Sequence, residues 1–175
     1  MRADETAEFT AFVRARSGAL FRTAVLLTGE RGQAEDLLQS TLERVCKHWR
    51  KVSRADSPEA YARRILVNLI HDRGRSRRGR IEVPLDEQDF APPDPRDPYH
   101  RLAVRDELLH VLHSLPVSMR AVLVLRYFDD LPDPDIATAL GITESTVRSQ
   151  AARGLAKMRA AAGRRPIESP HGGGQ

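Results

Sequence analysis

The stretch DPDIATALGITESTVRSQAARGLAKMR, from Asp133 to Arg159, carries the most specific chemistry in this sequence. Ile136 and Ala137 are followed by Gly141, by Ile142, and then by Val147, Ala151, Leu155 and Met158 at helical spacing. The pattern predicts two helices crossing at a tight turn. Ala137 is small enough for close approach, and Gly141 supplies the backbone conformation of the turn. Ile142 and Val147 seal the angle between the helices. The second helix then turns Glu144, Ser145, Thr146, Arg148, Ser149, Arg153 and Lys157 toward water. Short polar side chains beside arginine suit base edges and phosphates in a major groove. An ordinary solvated helix would more often carry Glu–Lys pairs there. Leu131 to Arg159 therefore reads as a helix-turn-helix that contacts double-stranded DNA.

A second set of candidate residues lies in the front half. Arg63, Arg64 and Asn68 sit at positions compatible with one outer face of a helix, and RGRSRRGR, Arg73 to Arg80, extends it with five arginines in eight residues. If about five phosphates were neutralised there, the logarithmic salt slope of binding would be roughly −4 to −5. Glu35, Asp36, Gln39 and Glu43 form a polar face on another helix, with no purpose that the residues alone reveal.

Other constellations carry less. His110 and His113 are three apart on one helix but have no clear third ligand, so a structural or surface role is expected rather than a metal site. His71 beside Asp72 fits a phosphate contact or a solvated pair better than acid–base catalysis. Trp49 could stack on a base, but it closes an apolar stripe and is read as core. The TGERG of Thr28 to Gly32 lacks the Lys-Ser/Thr of a nucleotide loop. No nucleophile elbow or paired catalytic carboxylates appear. The expectation is a non-enzyme with no cofactor and no metal.

The elements that position these residues are read as helices throughout. The chain has 175 residues, with 41% hydrophobic, 30% charged and only 5% aromatic residues, and no sustained period-2 run of β-branched residues argues for a strand. The first helix is expected from about Asp4 to Leu27, ended by Gly29. The second, from about Gly32 to His48, carries Ala34, Leu37, Leu38, Thr41, Leu42, Val45 and Trp49 at i, i+3, i+4 spacing. Lys51 to Ser57 reads as a polar loop. Ser57-Pro58 caps a third helix to about Arg73. Four more follow: Tyr99 to Leu115, Val117 to Phe128, one capped by Asp133-Pro134 and ending at Leu140, and one from the Thr143 cap to about Ala161.

Charge divides the chain in the same way. Arg2 to Arg80 carries 17 bases and 10 acids, whereas Ile81 to Pro98 carries six acids, one base and five prolines. The latter composition cannot hold a long helix or a central strand. His100 to Gly163 is nearly balanced, with eight bases and seven acids. The expected organisation is all-α. A three-helix module spans 1–80, a flexible acidic linker 81–98, a four-helix module with the helix-turn-helix 99–163, and a disordered tail 164–175. The basic front suits a polyanion such as DNA. One cysteine, Cys46, excludes an intramolecular disulfide, and its neighbours suggest a buried thiol. The start MRADETAEF has no apolar run for a signal peptide, and no stretch has the length a bilayer demands. A soluble cytoplasmic protein with no membrane insertion is the expectation.

Four blocks together carry a resemblance: FVRARSGALFRTAVLLTG, AEDLLQSTLERV, SPEAYARRILVNLIHDRGRSRR and LPVSMRAVLVLRYFDDLPDPDIATALGITESTVRSQAARGLAKMR. In this order, with a variable linker between the last two, the chain from Phe9 to Arg159 resembles the extracytoplasmic-function sigma factors of the sigma-70 family, of the SigE-like actinobacterial type. The resemblance implies that the two modules correspond to sigma regions 2 and 4. It implies that Glu35, Asp36 and Gln39 bind the coiled coil of the β′ clamp of core RNA polymerase. Lys51 to Ser57, with Lys51, Ser53 and Arg54, resembles the loop that captures a flipped base of the −10 element. Tyr61 to Arg75, with Arg63, Arg64, Asn68, Arg73 and Arg75, resembles the helix that reads and melts that element. The helix after Thr143, with Glu144, Ser145, Thr146, Arg148, Ser149, Gln150 and Arg153, resembles the −35 reader. The linker resembles the segment threaded through the polymerase cleft. Core polymerase (β′ clamp and β flap), double-stranded promoter DNA, the melted −10 strand and an anti-sigma factor are the implied partners. Opening A·T-rich pairs costs several kcal/mol, and holding flipped bases in a pocket offsets it.

The chain departs from the family where Arg148-Ser149-Gln150 replaces Lys-Ser-Arg, and where Arg153-Gly154 replaces Arg-Ala. Gln150 could read adenine or make no contact, so Gln150 and Gly154 are where altered −35 preference is expected. Pro132 and Pro134 replace a more usual polar pair. Two other functions compete with promoter recognition. A sigma-like mimic that titrates an anti-sigma factor should lack the arginine run and the intact reading helix. A simple helix-turn-helix repressor would leave the Glu35–Gln39 face without a role.

Overall fold

A computed structural model describes residues 2–77 and 98–163, excluding the side chains of 74–77 and 98–105. The expected linker, apart from Pro98, and the expected tail lie outside the described residues. Eight helices make up the described fold: α1 (Ala3–Thr28), α2 (Arg31–Lys47), α3 (Trp49–Val52), α4 (Pro58–Arg77), α5 (Pro98–Ser114), α6 (Val117–Tyr127), α7 (Asp133–Leu140) and α8 (Glu144–Ala162). The all-α expectation holds.

Helix ends follow local chemistry. Gly29, at φ 77°, ends α1 in the left-handed region, and its N–H donates to Val25 O at 2.7 Å. Glu30 caps α2 by accepting from the Gly32 and Gln33 N–H groups at 2.8 and 3.1 Å. Ser57 Oγ accepts from Ala60 N–H at 3.1 Å, the expected cap of α4. Two details differ from expectation. Part of the Lys51–Ser57 loop is helical: α3 is a single turn that buries Trp49 and Val52, too short to show a period. The α7 cap is Pro132, so Asp133 and Pro134 are the first helical residues rather than the cap.

Trp49 belongs to the core, 5% exposed. Its ring lies 5.3 Å from the rings of both Phe9 and Phe12, joining α3 to α1. Cys46 is half-buried rather than buried.

The middle of the molecule is α6. Every residue from Met119 to Leu125 is buried. A helix buried on all sides needs neighbours all round it, and α6 packs against α1, α4, α5, α7 and α8. The sequence suggests one inner face for this helix. Its outer face is covered because helices of the front half, α1 and α4, close over it. The buried residues of both halves accordingly form one continuous core.

Candidate nucleic-acid interface

Three solvent-facing surfaces hold most of the expected site residues. The first is the outer face of α2. Ala34, Leu37, Thr41 and Val45 are buried on one side, which turns Glu35, Asp36, Gln39 and Glu43 outward, all exposed. Arg31 Nε donates to Glu35 Oε1 at 2.9 Å, and Gln39 Nε2 to Glu43 Oε1 at 3.2 Å. Such exposed i,i+4 pairs contribute only tenths of a kcal/mol and yield easily to a partner.

The second surface is a cleft of about 300 Å³ lined by Lys51, Tyr61, Arg64, Ile65 and Asn68. Tyr61, Arg64, Ile65 and Asn68 follow i, i+3, i+4, i+7 spacing, so α4 presents them on one stripe, while Ala62, Leu66 and Leu69 are buried on another. Lys51 closes the cleft from the end of α3. The cleft thus offers an aromatic ring, an apolar wall, an amide and two cations. Tyr61 and Ile65 were not among the expected site residues, although the same stripe spacing could have found them. Ser53 and Arg54 lie elsewhere. With Arg2, Glu5, Glu8, Phe12 and Arg50 they border a separate, wider cleft of about 590 Å³.

Arg63 departs from the expected common face with Arg64 and Asn68. One residue is about a 100° turn of a helix, and Arg63 points to the other half of the molecule. Its Nε donates to Asp129 Oδ2 at 3.1 Å and its Nη2 to Glu59 Oε1 at 2.9 Å, leaving its side chain 11% exposed. Arg73 is half-buried, and the Arg75 side chain lies outside the described residues.

The third surface is the outer face of α8. Thr143 Oγ1 accepts from Thr146 N–H at 3.2 Å and starts the helix. Gly141, at φ 66°, makes the turn, and Ile142 N–H donates to Ala137 O at 3.0 Å. Ile136 and Val147 are fully buried in the crossing. Glu144, Ser145, Arg148, Ser149 and Arg153 are exposed, Thr146 is half-buried, and a 3.7 Å ion pair links Arg148 to Glu144. Neither of the two expected specificity positions is exposed. Gln150 is half-buried, with its Oε1 enclosed and lacking a hydrogen-bond partner. Gly154 is buried, and a Cβ there would lie 2.9 Å from Leu123 Cδ1. It serves close packing of α8 on α6.

His113, expected to be structural or exposed, is half-buried between the halves. Its ring nitrogens lie 3.3 Å from Arg120 Nη1. Burial, then the Arg120 charge, then His110 lower its pKa to about 4. No group of three or more His, Cys, Asp or Glu side chains fit to hold a metal occurs among the described residues. No helix of the described residues is long and apolar enough to cross a membrane.

All-helical halves, a helix with an exposed polar and basic face set on a tight turn, and a separate cation-lined cleft are features that suit a DNA-binding protein. Family models place it further: "Sigma-70 region 2" matches residues 12–80 and "Sigma-70, region 4" matches residues 105–158. The RNA polymerase sigma-E factor of Streptomyces coelicolor is 35% identical over 155 residues, covering 89% of this chain and 86% of that one. The ECF RNA polymerase sigma factor SigL of Mycobacterium tuberculosis is 34% identical over 151 residues, 85% of each chain. The sigma factor RpoE of Bartonella quintana, solved in complex with the anti-sigma factor NepR, matches the fold with a TM-score of 0.70 at 19% identity, over 91% of this chain and 99% of that one. CnrH, solved with the cytosolic domain of CnrY, matches with a TM-score of 0.63 at 20% identity, over 90% and 89%. The chain belongs to the RNA polymerase sigma factors of the sigma-70 family, in its ECF branch.

Proposed function

We propose that this sigma factor reads a promoter at two places, with residues 1–80 as the module for core polymerase and the −10 element and 99–163 as the module for the −35 element. The cleft of Lys51, Tyr61, Arg64, Ile65 and Asn68 carries the reading. An extruded base needs an aromatic or apolar wall and polar groups for its edge, and the cleft supplies both beside cations for the phosphates. Asn68 offers both a donor and an acceptor, while Lys51 and Arg64 hold the strand on either side. On α8, Ser145, Arg148 and Ser149 enter the major groove, and Arg153 contacts the backbone. The Glu35, Asp36 and Gln39 face of α2 seats on the β′ clamp, and the C-terminal half on the β flap. The protein works in the cytoplasm, catalyses no reaction itself, and is held in check by an anti-sigma factor, as the structurally similar RpoE of Bartonella quintana was solved with one.

Run-off transcription with purified core polymerase tests this. Wild-type protein is expected to direct initiation from a subset of promoters in a fragment library of its source genome. Asp36→Ala with Gln39→Ala is expected to weaken core binding with the fold intact. Asn68→Ala should slow strand opening without weakening core binding, and Arg148→Ala should reduce use of promoters that depend on a −35 element. Unchanged core affinity in the α2 double variant would remove the clamp assignment, and unchanged opening in Asn68→Ala would remove the base-pocket assignment.

A further inference from the structure

The two clefts share α3 as a wall. Lys51 lines the smaller one, whereas Trp49 and Arg50 line the wider one of about 590 Å³, with the first turns of α1 opposite. That volume lies in the range of small-molecule sites, about 300–1,000 Å³. Trp49 is 5% exposed, and its Nε1 is enclosed without a hydrogen-bond partner. A buried donor normally finds one, and this ring borders the cleft.

Charges of both signs surround the tryptophan. Glu5 accepts from the Arg2 N–H at 2.9 Å and from Arg50 Nε at 2.8 Å, and both hold its carboxyl below the usual carboxylate range. Arg50 retains further donors beyond that bond. Asp4, Glu8 and Arg54 are exposed and have no ion-pair partner among the described residues. Asp4, Glu8 and Phe12 stand at i, i+4 and i+8 of α1, so they share one stripe, and a free carboxylate lies beside an aromatic ring.

We propose that the wider cleft is a second nucleotide site and takes a guanine nucleotide, with the base against Phe12, Glu8 on its edge, and Arg50 and Arg54 on its phosphate. The mixed charge decides the class of ligand. Asp4, Glu5 and Glu8 repel a simple anion, and Arg2, Arg50 and Arg54 repel a simple cation. A nucleotide brings donors on its base and negative charge on its phosphate, so it meets both sets. Guanine presents two adjacent donors, N1–H and the 2-amino group, which match the two oxygens of one carboxylate. Adenine and cytosine set a ring acceptor beside their amino group, and a carboxylate repels it. The Trp49 N–H is left for an acceptor of the same ligand. The guanine comes either from a free mononucleotide or from a melted strand running past α3. The inference does not rest on the promoter reading, since the free chain and mononucleotides test it.

Trp49 is the only tryptophan, so the isotopically labelled full-length protein gives a single indole N–H resonance. GMP is expected to move that resonance saturably, as a newly formed hydrogen bond does, and to bind at least about tenfold more tightly than AMP or CMP. IMP, which lacks the second donor, should fall between. Asp4→Asn with Glu8→Gln should abolish the preference for guanine, and Arg54→Ala should weaken GMP while leaving guanosine unchanged. If the double variant loses its helical circular dichroism, Arg54→Ala decides alone. A second arm titrates short thymidine strands with and without one central deoxyguanosine. A guanine-bearing strand that moves the resonance at lower concentration than GMP makes the melted strand the source. One that does not makes the source a free nucleotide. An indole resonance that no guanine ligand moves, equal affinity for GMP and AMP, a preference that survives in the folded double variant, or GMP binding unchanged by Arg54→Ala overturns the site.

Discussion

Stability should depend on pH through His113. Its pKa is lowered to about 4 from an ordinary 6.5, first by burial and then by the guanidinium of Arg120 and by His110. The folded state therefore binds fewer protons than the unfolded chain between pH 6.5 and about 4. Stability is present in full above pH 6.5 and is lost as pH falls through that window. At pH 5 the two pKa values correspond to about 2 kcal/mol. The ring is half-exposed, so solvent screening reduces this to roughly 1 kcal/mol. The carboxylates of the protein also begin to titrate there, so the quantity to measure is a difference. Urea unfolding of wild type and His113→Gln at pH 7 and pH 5 isolates it: the wild type should lose about 1 kcal/mol more than the variant. Histidine ring-proton NMR should give a His113 midpoint well below 6. Equal pH dependence in the two proteins, or a midpoint near 6.5, would refute the reasoning.

Gly29→Ala should cost about 2–4 kcal/mol in the same urea assay, because its φ of 77° is strained for alanine and the new Cβ would meet the His113 ring. Gly154→Ala adds a methyl 2.9 Å from Leu123 Cδ1 in a fully packed region, which costs about 1–3 kcal/mol. The better helix propensity of alanine returns about 1. A net loss near 1 kcal/mol is expected, and a gain would show that Leu123 swings aside.

The helices were legible because their apolar residues recur every three or four positions, as in Ala34, Leu37, Thr41 and Val45. The exposed face of α8 was legible for the converse reason, since Ser145, Arg148 and Ser149 stand away from Val147 and Ala151. Glycine has no side chain to mark a face, so Gly154 passed for a specificity position. Its place three residues after the buried Ala151 was the available sign. Arg63 misled in another way. Its sequence neighbour Arg64 is exposed, while its own partner Asp129 lies 66 positions away. No local pattern encodes that contact, nor the closing of α1 and α4 over α6. The four residues of α3 were invisible because one turn has no period.

The single tryptophan lies wholly within the front half, between Phe9 and Phe12. Its emission is therefore a private optical signal of α1 and α3, blind to the helix-turn-helix. Far-ultraviolet circular dichroism, by contrast, weighs every helix alike. Comparing the two traces in one denaturation separates melting of the whole from melting of a part. Coincident curves would mark a single cooperative unit in the free chain, and divergent ones would time the loss of the front half against the rest.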